Sequence, residues 1–355
     1  MRGWLFGWLL LATPLSAAQI DPAVYKALDD ARAAEQRGDT TGARLQLQAA
    51  LPASAEGSLE RALLQQRLAY LAIDANDPEH AIHWLSETLK QDALGAEAQA
   101  QDRANLARLL LQQERYQQAA VELALLPPSD AIRQLQVQAY RQLGQFDKAL
   151  PLAEQVVRER PAADDSWYQL LVGMNYELKR YAAAARWQQV LLQRAPGNAA
   201  SWRQLASLQS LAGEQGKAAA TMRLAQLAGV GLQASDMESL IALHARAGAP
   251  WQAARLLEQL LREHLLQTTL ERQRQLAQLW QAARDYPQAL KVWQQVAGAS
   301  GQTADRLQVA WLHYQQAQWQ DVLAMVQGIQ PASAAQRRQL ASLRAAAQQA
   351  LGMDQ

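Results

Sequence analysis

The sequence predicts an all-α fold, an α-α superhelix of stacked helix hairpins, and three observations carry the prediction. The first is composition. Hydrophobic residues make up 50% of the 355, Ala, Leu and Gln are prominent, and there are only 18 Gly and 12 Pro. Such residues lose little side-chain freedom in a helix, whereas the strand-favouring Val, Ile and Thr are sparse. The second is a small residue that recurs at Ala43, Ala81, Ala119, Ala149, Ala184, Ala218, Ala253 and Ala289, with Val322 as a ninth member. The steps are 38, 38, 30, 35, 34, 35, 36 and 33 residues, scattered about the ~34-residue period of a two-helix repeat. The third is that other residues keep step with this ruler. Gly38, Gly144, Gly213 and Gly248 stand five residues before it, and Tyr116, Phe146, Tyr181, Tyr286 and Trp319 stand three before it.

Taken in order, residues 1–18 read as a secretory signal. Met1 and Arg2 form a short basic start, Trp4 to Ala12 is an apolar run, Pro14 breaks it, and Ser16-Ala17-Ala18 offers small residues for cleavage before Gln19. The run is far short of the ~20 apolar residues a spanning helix needs. In a Gram-negative host the expected location is therefore the periplasm, peripheral to a membrane at most. Residues 19–130 form irregular repeats. Asp21-Pro22 starts the first, as an N-cap followed by Pro at the first helical position. Asn76-Asp77-Pro78 makes the turn of the second, and Pro127-Pro128 sets off a shortened first helix in repeat four. Residues 131–331 carry the regular repeats, with breaks at 229–231 and 298–301. Residues 332–355 hold a closing helix over 334–351, capped by Ser333, whose polar face carries Arg337, Arg338, Gln348 and Gln349. The total is about nine helix pairs plus this cap, and a polar cap is what the open end of a stack requires.

The stretch Val137 to Pro161, VQAYRQLGQFDKALPLAEQVVRERP, shows the unit most plainly. Gly144 makes the turn, Ala149 lets the paired helices approach, and Pro161 ends the second helix because it lacks an N–H. These residues resemble the tetratricopeptide repeat (TPR) consensus, and the resemblance assigns packing roles to Ala149, Ala184, Ala218, Ala253 and Ala289 and turn roles to Gly144, Gly213 and Gly248. From Trp167 to Leu208 the chain reads WYQLLVGMNYELKRYAAAARWQQVLLQRAPGNAASWRQLASL. With Gly213 to Gly231, Pro250 to Leu261 and Arg284 to Ala297, this is similar to the TPR proteins found with TonB–ExbB–ExbD systems of gammaproteobacteria. The similarity covers roughly residues 137–325, and the N-terminal third departs from it. It implies a periplasmic accessory protein of TonB-dependent outer-membrane uptake. TPR scaffolds of other envelope machines, such as polysaccharide export or peptidoglycan synthesis, share these features. A superhelical lytic transglycosylase would need a separate catalytic domain, for which the repeats leave no room.

Chemistry-bearing patterns are missing. The sequence has no Cys, no Gly-x-Ser-x-Gly, no His-Glu-x-x-His, no P-loop and no dinucleotide fingerprint. No enzyme activity, cofactor, metal or small-molecule substrate is expected. His80 and His83, three apart on one helix, read as an exposed face and not as a metal pair. Net charge is +1, so nucleic acid is not an expected partner either. The charge is unevenly spread, with 13 acidic and 7 basic side chains in residues 19–100 and 20 acidic and 26 basic in residues 101–355. Most tryptophans fall at consensus positions and read as core, with Trp311 as the exception. The repeat register instead predicts a protein-binding groove on the first helices of the pairs, formed by Gln134, Gln138, Arg141, Gln169, Tyr176, Arg203, Ser207, Arg274, Trp311 and Tyr314, with Glu238, Arg246 and Gln278 beside them. Gln134 and Gln138 stand where carboxylate-clamping TPR domains place Lys and Asn, so capture of a C-terminal peptide is not expected.

Overall fold

The computed structural model describes residues 20–353, so the expected signal segment lies outside the described residues. Among them are nineteen α-helices and no strand. Contacts divide the chain into two compact units, Met1–Trp167 and Tyr168–Gln355. The first holds four hairpins: α1 (Pro22–Gln36) with α2 (Thr40–Ala50), α3 (Leu59–Asp74) with α4 (Pro78–Gln91), α5 (Ala96–Gln112) with α6 (Tyr116–Ala124), and α7 (Asp130–Gln142) with α8 (Phe146–Glu159). The second begins within the first turn of α9 (Asp165–Glu177), which pairs with α10 (Tyr181–Arg194). It continues with α11 (Ala199–Leu211) and α12 (Gln215–Leu227), α13 (Ala234–Arg246) and α14 (Pro250–Arg262), α15 (Leu270–Ala282) and α16 (Tyr286–Ser300), and α17 (Thr303–Gln315) and α18 (Trp319–Gln327). α19 (Ala334–Ala350) closes it.

The ruler residues explain the hairpins. Each is the fourth residue of the second helix of its pair, and all nine, Ala43 to Val322, have 0% exposure. A methyl or isopropyl group at the point of closest approach lets packed helices sit at the ~8–10 Å separation that ridges-into-grooves packing allows. The turns are equally regular. Five residues before each ruler position the backbone turns left-handed, with φ between 55° and 80° at Gly38, Asn76, Glu114, Gly144, Lys179, Gly213, Gly248, Arg284 and Ala317. The N–H of the next residue then bonds the carbonyl five residues earlier, at 2.8–3.0 Å, as in Gln145 to Tyr140 and Gln318 to His313. This Schellman closure satisfies carbonyls that the helix end would leave open. The following helix starts one residue later, so one tight turn fixes both the end of one helix and the direction of the next.

Several starts match their sequence signals. The Asp21 carboxylate accepts from the Ala23 N–H at 2.7 Å, the Asp77 carboxylate from the His80 N–H at 3.2 Å, and the Ser333 hydroxyl from the Gln336 N–H at 3.2 Å. One expectation is corrected. The first helix of repeat four is not shortened, since α7 has 13 residues like α9, α11, α13, α15 and α17. The short step from Ala119 to Ala149 comes from α6, which has only 9 residues and stops ahead of Pro127-Pro128. Conversely, the long early steps come from first helices of 16 and 17 residues, α3 and α5.

Within each unit the buried side chains run from hairpin to hairpin. In the first, Val24, Ala31, Leu47, Leu64 and Leu68 join the opening hairpins, and Leu85, Leu106, Leu110, Leu123 and Ala139 continue through α7. In the second, Met222, Leu240, Ile241, Leu257, Leu260, Trp280 and Val296 form one cluster. There Leu340, Leu343 and Ala347 of α19 cover Leu307, Ala310, Val322 and Val326.

Candidate protein-binding face

The predicted groove residues fall at fifteen, eleven and eight positions before the ruler, a spacing of four and then three that keeps them on one face of each first helix. In the first unit α7 exposes Gln134, Gln138 and Arg141. In the second, α9 exposes Gln169 and Tyr176, and α11 exposes Arg203 and Ser207. Arg274 on α15 and Trp311 and Tyr314 on α17 are half-buried. Glu238, Arg246 and Gln278 are exposed. The rigid hairpins thus present amide, guanidinium and hydroxyl groups at fixed offsets.

The aromatic members are braced. Tyr176, 48% exposed, meets Tyr181 edge-on at 5.6 Å, and Tyr314 meets Trp319 at 5.5 Å. Both pairs join the last turn of a first helix to the first residue of the second. Trp311 stands perpendicular to Tyr286 of the preceding repeat, with centroids 5.9 Å apart. Such edge contacts hold each ring in one orientation.

Two of the guanidiniums are already engaged, and sequence reasoning missed their partners. A side chain fifteen residues before the ruler in one repeat meets one seventeen before it in the next. Arg203 donates to the Asp236 carboxylate at 3.0 Å. Arg274 donates to Asp305 at 2.7 Å from Nη2 and 3.1 Å from Nε. Between these two the signs reverse, and Arg272 donates to Glu238. In the first unit the same positions hold Gln66 and Asp102, where the amide donates to Asp102 Oδ2 at 2.6 Å and the Tyr70 hydroxyl donates to Oδ1 at 2.7 Å. Asp102, Asp236 and Asp305 are 0%, 4% and 4% exposed. The findable signal was the pair of offsets, an acid at minus seventeen facing a base at minus fifteen.

The environment of these carboxylates differs. Burial pushes Asp305 up, but the hydrogen bonds from Arg274 and Ser300 outweigh it and hold the carboxyl below its ordinary value. Those same contacts with Asp305 raise the Arg274 guanidinium. Among the described residues no guanidinium pairs with Asp102, and burial raises it despite the bonds from Tyr70 and Gln66. Burial and the neighbouring Asp102 also push up the Tyr70 phenol.

The remaining titratable groups are dispersed. His80 Nδ1 lies 2.7 Å from Asp77, and His83 packs edge-on against Trp84 at 4.7 Å. Among the described residues no group of three His, Asp or Glu side chains is placed to hold a metal. No described helix is long and apolar enough to cross a membrane. Trp280 and Trp293 are core residues, 2% and 3% exposed. Trp251 is not, at 51% exposure. It stands two residues before Ala253, so on α14 it faces away from the paired helix.

These hairpins, with their common turn and common buried position, define a TPR-like α-α solenoid. No protein-family model matches the sequence, and no curated protein matches it. Among solved structures the chain is similar to a tetratricopeptide repeat protein from Parabacteroides merdae ATCC 43184, at 14% identity over 67% of this chain and 93% of that one, with a TM-score of 0.35. It is also similar to MamA from Desulfovibrio magneticus RS-1, at 18% identity over 46% of this chain and 93% of that one, TM-score 0.34. A third is YrrB, a TPR protein with an unusual peptide-binding site, at 14% identity over 46% and 83%, TM-score 0.36. At these scores the assignment of fold rests on the hairpin geometry itself.

Proposed function

We propose that this chain is a non-catalytic scaffold that binds other proteins through the first helices of its repeats. The observation that carries the reading is the stripe at minus fifteen, minus eleven and minus eight. It recurs on first helices within each unit, leaving Gln134, Gln138 and Arg141 exposed in the first and Gln169, Tyr176 and Ser207 exposed in the second. A surface of spaced amides, hydroxyls and guanidiniums suits an extended segment or a partner helix held by hydrogen bonds, and solenoids build extended binding surfaces in this way. The scatter of the histidines and carboxylates supports a binding role over a catalytic one, since catalysis needs a nucleophile or metal beside a base. The signal-like residues 1–18 support a periplasmic location, and the resemblance of residues 137–325 supports service to a TonB–ExbB–ExbD transport system.

Affinity purification of the full chain from envelope extracts tests this. Energy-transduction or outer-membrane uptake components are expected to co-purify. They should be lost when Gln138, Arg141, Gln169 and Ser207 are changed together to Glu, with the thermal melt unchanged. No enrichment of such components sinks the transport reading, and retention by the quadruple variant sinks the assigned face.

A further inference from the structure

A different surface, in the second unit and mainly on second helices, carries a cavity of about 330 Å³. It is lined by Arg223 of α12, His244 of α13 and, along α14, Trp251, Arg255, Gln259 and Arg262. No carboxylate of the described residues lines it. The three guanidiniums are exposed. Among the described residues Arg255 meets the carboxylate of Glu258 at 3.5 Å, and Arg223 bonds the neutral amide of Gln226. The nearby carboxylate of Glu263 accepts from Gln259 at 3.0 Å. The positive charge of the cavity is therefore largely unspent.

The floor is aromatic and fixed. Trp251 is 51% exposed, yet its ring is set edge-on to the buried Trp280 at 6.4 Å. The Arg255 guanidinium lies 5.7 Å from the Trp251 ring centre, close enough to stack on it. Exposing a large aromatic beside guanidiniums keeps apolar area in water, which a folded chain gains nothing from by itself. Trp and Arg are the side chains that dominate binding energy at interfaces.

The spacing selects among anions. Arg255 and Arg262 are seven residues apart, so their attachment points are about 10 Å apart along α14. That is about one turn of a polyproline-II segment, three residues at ~3.1 Å each, which brings every third side chain back to the same face. A polypeptide with acidic side chains every third residue can set one carboxylate on each guanidinium, each by a paired, charge-assisted hydrogen bond, which a single small anion cannot do. Trp251 stands one turn before Arg255 on α14, so an apolar residue flanking the acid on Arg255 lies on its ring, and the Gln259 amide is within the same cavity. We propose that the α12–α14 cavity is a docking site for an extended acidic segment of a partner polypeptide with acids at every third position and an aromatic or apolar residue flanking them. The site does not rest on the first-helix face, since none of its residues belongs to that stripe.

The test uses the full chain and a short fluorescein-labelled peptide with Glu at every third position and one central Tyr, read by fluorescence anisotropy. Its counterpart with Gln for every Glu is the control. The acidic peptide is expected to bind at least tenfold tighter than the Gln peptide. Binding should fall more than tenfold in R255E/R262E and several-fold in Trp251→Ala. All these side chains are exposed, so melts matching the parent chain establish that the variants fold. Arg262→Gln alone serves as a milder variant and should weaken binding without reversing charge. Equal binding of the two peptides, full binding by R255E/R262E, or displacement by inorganic phosphate as effective as by unlabelled peptide would overturn the proposal. So would light scattering showing that the cavity instead joins two copies of this chain, with R255E/R262E monomeric and the peptide unbound.

Discussion

At the scale of single residues, the nine turns ask for one backbone conformation and receive it from unequal side chains. Four turns use Gly and one uses Asn76, which tolerates left-handed φ, but Glu114, Lys179, Arg284 and Ala317 hold φ of 55–58°. A side chain with a Cβ costs roughly 1–2 kcal/mol there, against roughly 0.5–1 kcal/mol of extra chain freedom that Gly loses on folding. Ala317→Gly is therefore expected to stabilise by about 0.5–1 kcal/mol, read as a raised urea midpoint at unchanged slope. Gly144→Ala should show the reverse, about 1 kcal/mol of destabilisation. A Cβ built at Gly144 meets no atom within 4 Å, so that cost is conformational and not steric. A drop much larger than this would mean that Gly144 does something beyond turning the chain.

At the scale of helices, the contacts between successive first helices give two carboxylates opposite responses to pH. Asp305, held low by Arg274, contributes stability at neutral pH that is lost as pH falls through its depressed folded value. Arg274→Ala should lower the melting temperature at pH 7 and have a shrinking effect as the medium is taken below the ordinary carboxylate range. Asp102 is raised, so its ionisation opposes folding at neutral pH, and the penalty fades as pH falls from the raised folded value towards the ordinary one near ~3.9. Asp102→Asn should melt higher than the parent at pH 7, with the advantage gone below about pH 4. Gln66→Arg, which installs the cation found at Arg203 and Arg274, should give a similar gain. If Asp102→Asn melts lower at pH 7, the carboxylate is better satisfied than its contacts with Tyr70 and Gln66 indicate. Much of this scale was legible beforehand. The small-residue ruler located all nine second helices, because burial at the closest approach tolerates little but Ala, and Ser333 and Asp21 announced helix starts. The turns at Lys179 and Ala317 were not legible, since neither residue prefers left-handed backbone and only the flanking packing imposes it. The engagement of Arg203 and Arg274 was hidden for another reason. Their partners lie 33 and 31 residues away, and no local pattern marks a carboxylate as buried. Trp251 was misread because its helix-face position differs from that of the consensus tryptophans by a rotation that composition does not reveal.

At the scale of the whole molecule, the fold is a sum of near-identical hairpins, so little in the apolar cores of a repeat array says which hairpin should follow which. The polar contacts of the second unit supply that information. Reading along the chain from α11, three successive junctions present a sign and meet its opposite: Arg203 with Asp236, Glu238 with Arg272, Arg274 with Asp305. The middle junction is inverted relative to its neighbours, and the inversion acts as an address. If α13–α14 and α15–α16 traded places, Arg203 would face Arg272 and Glu238 would face Asp305, and only Arg274 would find a carboxylate, that of Asp236. Like charges held together at a partly buried contact are a penalty against the wrong order, not merely the loss of a bonus for the right one. A chain with these two hairpins exchanged should unfold at lower urea than the parent. Adding Arg203→Glu and Glu238→Arg to it, which restores opposite signs at all three junctions, should recover a substantial part of the loss. No recovery would mean that hairpin order is kept by apolar fit alone. On this account the alternation of charge works as punctuation in a repetitive text, keeping similar clauses in sequence while the chain is still choosing its neighbours.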